Sequence, residues 1–188
     1  MRPLAVILIG VFALSGCTTV VNTVTSKPIV PDPTSTSVGT SLDDIKMDTY
    51  IGVNIKKADP DLDKSHVNIN VVNGVVLLTG EVPSNEMKIL AGDVARDFKD
   101  VRQVHNELQV RGKTSIVSRT NDTMLTAKIK TKLVFNEEVK ASNIEVITED
   151  SVVYLMGTID RVSAELASNV ASESSGVRKV VKVFEYID

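Results

Sequence analysis

The sequence is short of the residues that usually carry chemistry. Of its 188 residues one is cysteine, two are histidine and none is tryptophan, and aromatics make up 4%. A single cysteine, Cys17, leaves no internal disulfide, so the fold has to stand without one. His66 and His105 are isolated in the sequence, form no metal motif and read as surface or strand-edge residues. With so few histidines no Ser-His-Asp pattern can be assigned. Gly74 and Gly80 read as hairpin glycines, not as a phosphate loop. No metal, cofactor or enzyme activity is expected. The acid pairs Asp43-Asp44 and Glu137-Glu138 read as solvated helix ends. Charge of one sign is lacking too. Lys and Arg number 21 against 24 Asp and Glu, with no run of like charges, which disfavours nucleic acid as a partner.

Long hydrophobic runs are absent except at the start, where Arg2 precedes the apolar stretch Leu4–Leu14. That stretch is shorter than the ~20 residues a spanning helix needs. With small residues before Cys17 it reads as a signal peptide over residues 1–16. Leu14-Ser15-Gly16-Cys17 resembles the lipobox of bacterial lipoproteins. The resemblance implies cleavage before Cys17 and acylation of Cys17 as the lipid anchor. Thr18 stands where an Asp would imply retention in the inner membrane, so the resemblance implies the outer membrane, periplasmic face. Residues 17–43 are rich in Thr, Ser, Val and Pro, with Pro28, Pro31 and Pro33 clustered, and read as a flexible tether.

What is present in abundance is Val and Ile, and an internal repeat. Val67–Val82 aligns with Ile144–Ile159 without a gap, Gly80 falling on Gly157. Val101-Arg102-Gln103-Val104 matches Val177-Arg178-Lys179-Val180. Two units follow, 44–111 and 121–188, joined by a polar segment 112–120.

Each unit reads as α-β-β-α-β. An opening helix carries Met47, Ile51, Ile55 and Ala58 on one face in the first unit, and Leu125, Ile129 and Leu133 in the second. A hairpin follows, with Asn73-Gly74 a strong type I′ turn and Asp150-Ser151 a weaker one. A second helix is capped by Ser84 and buries Met87, Leu90, Ala91, Val94 and Phe98. Its counterpart starts after Asp160, packs Leu166, Ala167, Val170 and Ala171, and stops near Gly176. A last strand closes each unit, Val104–Val110 and Val180–Ile187. The fold class is α+β, two helices on one face of a three-stranded mixed sheet, twice over.

This pattern, with its internal glycine and its closing Val-x-x-Val, resembles the BON domain. Two such domains behind a lipobox resemble the dual-BON outer-membrane lipoproteins. The resemblance implies a periplasmic, outer-membrane-anchored protein that binds anionic phospholipid such as phosphatidylglycerol or cardiolipin. It further implies support of envelope integrity, concentration at division sites, and envelope or division proteins as further partners.

The first helix of the second unit is the informative one. At ~100° per residue, Leu125, Ile129 and Leu133 form its core face. The opposite side carries Met124, Ala127, Thr131, Val134 and Phe135, flanked by Lys128 and Lys130, with Lys132 nearer the core edge. The same side in the first unit, Lys46, Thr49, Val53, Lys56 and Lys57, is mostly polar. Two readings stand. Met124, Val134 and Phe135 dip into acyl chains while the lysines meet headgroups, or the face packs on the other unit or on the tether. The resemblance favours phospholipid, with Met124, Ala127, Lys128, Lys130, Thr131, Val134 and Phe135 as the contact. It departs at Met124, where a member of that family has tryptophan, the better interface anchor. The remaining alternative is a protein-interaction module for an envelope partner.

Overall fold

The computed structural model describes residues 40–112 and 116–187, with side chains from 44–112 and 118–187. The expected signal peptide, Cys17 and most of the tether lie outside the described residues. Chain order gives α1 (Thr40–Ala58), α2 (Pro60–Lys64), β1 (His66–Val72), β2 (Val75–Val82), α3 (Asn85–Arg96), β3 (Gln103–Asn106) and β4 (Gln109–Val110). The second unit follows with α4 (Ile116–Val134), β5 (Glu145–Glu149), β6 (Val152–Ile159), α5 (Arg161–Ser172) and β7 (Lys179–Tyr186).

Each sheet is built around its middle strand. β2 pairs antiparallel with β1 and parallel with β3 and β4; β6 pairs antiparallel with β5 and parallel with β7. The mixed sheets follow from local chemistry. The Asn73-Gly74 and Asp150-Ser151 turns both hold positive φ at both positions, as a type I′ hairpin requires. α3 and α5 then carry the chain back to make the parallel partner. Ser84 caps α3 by accepting the Met87 N–H, and Asp160 caps α5 by accepting the Ser163 N–H.

Alternation splits each middle strand between two cores. Val76, Leu78 and Val82 join Met47, Ile51 and Ile55 of α1 and Ala91 and Ala95 of α3. Val153, Leu155 and Ile159 join Leu125, Ile129 and Leu133 of α4 and Ala164, Ala167 and Ala171 of α5. The other faces meet each other. Val75 and Leu77 pack with Tyr154, Met156 and Val183 in a third cluster, so the two sheets stand back to back with helices outside. Polar contacts ring this seam: Asn73 Nδ2 donates to Thr158 Oγ1 at 2.9 Å, Arg102 pairs with Glu185, and Arg111 bridges Glu81 and Asp150.

Several local readings need correction. Ala58 is exposed at the end of α1, because Pro60 stops the helix there and starts α2, an element the sequence reading did not anticipate. α2 is capped by Asp59 and buries Leu62 in the first core. The closing strand of the first unit breaks in two at Glu107-Leu108, where Leu108 joins the core and Asn106 Nδ2 donates to Lys88 O at 2.7 Å. α4 begins at Ile116, inside the segment read as polar connection, and α1 begins at Thr40, inside the stretch read as tether. Asp44 is no solvated helix end: its carboxylate accepts the Asn73 and Gly74 N–H groups at 2.8 and 3.1 Å.

Candidate functional site

α4 is held to its sheet by Leu125, Ile129 and Leu133, all buried. Residues near 180° from this stripe are turned away from the sheet by helix geometry. Met124 is 68% exposed, Val134 69% and Phe135 81%, and Ala127 and Thr131 between them are exposed as well. Phe135 follows the helix, its N–H still bonded to Thr131 O at 3.1 Å. Three large apolar side chains thus stand along about 16 Å of one edge, at ~1.5 Å per residue. Packing against the first unit does not cover them, because the sheets make that contact.

The flanking lysines are exposed but engaged. Lys128 Nζ donates to Ser175 O at 3.1 Å, and Lys130 Nζ pairs with Glu145 at 2.8 Å. Exposed pairs of this kind contribute about 0–1 kcal/mol, so either lysine can be drawn to another anion. Lys132, set aside as a core-edge residue, is exposed and has no polar partner among the described residues. It lines a shallow groove of about 420 Å³ with Thr131, Phe135, Asn136, Val170 and Glu173. The signal that would have found it is its distance from Leu133, one position along and ~100° round the helix.

The first unit lacks this surface. Lys46 and Lys56 take the places of Met124 and Val134 when the apolar stripes of α1 and α4 are aligned. Val53 on α1 is a correction: expected on a mostly polar outer side, it is 0% exposed. A side chain buried to that degree cannot serve as a surface control.

His66 opens the edge strand β1, as a strand-edge residue, and is half-buried toward the seam, its Nε2 3.9 Å from Glu149 Oε2. Glu149 is pushed up to about 7, first by burial, with the Asn68 hydrogen bond opposing and Glu81 and Asp122 adding to the rise. Burial alone would raise Asp150, but the hydrogen bonds and charges of Arg111 and Arg178 outweigh it and hold that carboxyl below its ordinary range. Among the described residues no helix is long and apolar enough to cross a membrane.

The BON domain profile matches residues 51–112 and 121–188. The chain is 35% identical over 191 residues to "Outer membrane lipoprotein DolP" of Haemophilus influenzae, covering 100% of this chain and 97% of that one. It is 33% identical over 151 residues to the "21 kDa hemolysin" of Actinobacillus pleuropneumoniae, covering 80% and 78%. It is 30% identical over 155 residues to "Osmotically-inducible protein Y" of Escherichia coli, covering 79% and 75%.

Proposed function

The chain belongs to the BON-domain family, and on that premise we propose that it is an outer-membrane lipoprotein whose α4 helix engages anionic phospholipid from the periplasmic face. The observation that carries the reading is the exposed row Met124, Val134 and Phe135, set between lysines on a helix whose other side is fully committed to the core. Cys17 is the anchor and the residues between it and α1 the tether. The lipobox pattern and the name carried by the Haemophilus relative support both. The role is binding, not catalysis.

In this mechanism the three apolar side chains enter the acyl boundary, where each fully buried group contributes ~1.5–3 kcal/mol. Ala127 and Thr131 are small enough to let the helix lie close to the headgroups. Lys128 and Lys130 leave their internal partners for lipid phosphate, and Lys132 adds a third cation. Met124 in place of tryptophan shifts the weight of anchoring to Phe135. Tethering through Cys17 raises the effective concentration of lipid at α4 to the millimolar range, so a weak site is still occupied. Phosphatidylglycerol and cardiolipin are the expected headgroups, and enrichment of such lipids draws the protein to division sites. A second reading, docking of an envelope protein, draws on the groove between Phe135 and Val170, which suits a single side chain.

Vesicle flotation of the unlipidated chain from Thr18 tests the lipid reading. Phosphatidylglycerol vesicles should carry the protein, phosphatidylcholine vesicles should not, and salt should weaken the association. Equal recovery with both lipids, or with neither, removes it in favour of the protein-docking reading. Cys17→Ser tests the anchor separately: a protein that still fractionates fully with the outer membrane after high-salt washing is not held by that cysteine.

A further inference from the structure

Three ionisable side chains from three strands meet where the sheets face each other. His66 opens β1, Glu81 lies near the end of β2 and Glu149 ends β5, and each offers a ligand atom within 4.8 Å of the other two. Glu81 is 1% exposed and Glu149 7%. One oxygen of each carboxylate is accounted for. Glu81 Oε1 accepts from Arg111 at 3.3 Å, and Glu149 Oε2 accepts from Asn68 Nδ2 at 2.8 Å. The other two, Glu81 Oε2 and Glu149 Oε1, are buried without a hydrogen-bond partner among the described residues. So is Thr79 Oγ1, two residues before Glu81 on the same face of β2. Buried polar atoms are nearly always satisfied, so the two orphaned carboxylate oxygens of this cluster call for an occupant.

The fold itself does not call for these charges. In the repeat register Glu81 corresponds to Thr158, His66 to Asn143, and Glu149 to Val72. The other copy makes the same strands with neutral side chains. Asn68 Nδ2 also lies 3.2 Å from His66 Nε2. An amide nitrogen can only donate, so Nε2 is the unprotonated nitrogen in this contact, and a metal would take that lone pair by displacing the Asn68 amide.

We propose that His66, Glu81 and Glu149 form a site for a divalent transition-metal ion of the zinc type, pinning β1 and β2 of the first unit to β5 of the second. One imidazole and two carboxylates suit zinc. Calcium needs six or more oxygens, and magnesium keeps mostly water. Bonds of about 2.0–2.2 Å would put tetrahedral donors roughly 3.3 Å apart, so the three groups must close up by small rotations of the carboxylates. The fourth position, for water, faces a solvent-connected cavity of about 180 Å³ lined by His66, Asn68, Arg119, Asp122, Thr148 and Glu149. Arg111 and Arg119 face the cluster and oppose a cation, while Asp122 favours one.

Calorimetric titration of zinc chloride into the full chain in detergent, after stripping with a chelator, should show one ion per chain. The thermal midpoint should rise with zinc concentration by mass action. His66→Ala and Glu149→Gln should each weaken binding at least tenfold. His66→Asn, which installs the residue of the second copy, should do the same in a protein that circular dichroism shows to be folded. His105→Ala should bind within twofold of the parent. Absence of stoichiometric binding, an undiminished affinity in folded His66→Asn, or loss of binding in His105→Ala overturns the proposal. Calcium raising the midpoint as much as zinc overturns the choice of metal class.

Discussion

Asp122 stands in the second unit where Asp44 stands in the first, and each accepts both backbone N–H groups of its own hairpin turn. Asp122 takes those of Asp150 and Ser151 at 2.8 Å each; Asp44 takes those of Asn73 and Gly74. A helix carboxylate thereby fixes where the hairpin sits over the opening helix. Asp122 is buried and Asp44 half-buried. Asp122→Ala leaves two N–H groups without an acceptor, at about 1–3 kcal/mol for a buried donor. Asp44→Ala should cost less, because water can replace the carboxylate. Chemical denaturation of the two variants checks the order, and equal loss in both would contradict it.

Gly157 and Gly80 mark a close backbone approach in each copy. A Cβ on Gly157 would lie 1.9 Å from Asn143 O, and one on Gly80 2.0 Å from His66 O, both at positive φ. No side-chain rotation relieves a clash with backbone, so β6 would have to part from β5. Gly157→Val should abolish cooperative melting of the second unit, seen as loss of the slow-exchanging amides of β5 and β6. A melt like the parent's would show that the strands part at little cost.

Val134→Glu with Phe135→Glu tests the α4 surface. Both side chains are exposed, so the fold should be unaffected within about 0.5 kcal/mol per site. Binding to phosphatidylglycerol vesicles should fall more than tenfold, the equivalent of ~1.4 kcal/mol. Ile89→Glu, on α3 of the first unit and 55% exposed, is the control and should stay within about twofold, roughly 0.4 kcal/mol. A folded double variant that binds like the parent places the lipid contact elsewhere.

Asp48 gives the chain a pH dependence. Burial on α1 pushes its carboxyl up to about 6 from 3.8. Between those values the folded chain holds a proton that the unfolded chain has released, so stability falls as pH rises through that window. Asp48→Asn removes the titration. Its melting temperature between pH 4 and pH 6 should slope less steeply downward than the parent's, and an unchanged slope would show that Asp48 titrates normally.

What the sequence determined by itself is what nearest neighbours and periodicity control. The Asn73-Gly74 and Asp150-Ser151 turns, the caps at Ser84 and Asp160, the core stripes of α1 and α4 and the paired glycines are all local. The repeat then joined them into two α-β-β-α-β units. The tertiary structure alone decided how those units meet. Val75 and Leu77 look the same in a strand whether they face water, a helix or another sheet, and only the meeting with Tyr154, Met156 and Val183 assigns them to a seam. The run Val75–Leu78 is buried on both faces, but a run names no partner. The same long-range event left Met124, Val134 and Phe135 uncovered. It also brought Glu149 of β5 against His66 and Glu81, which the β1–β2 hairpin already pairs. A cluster made by contact between two sheets leaves no spacing in the sequence by which to find it.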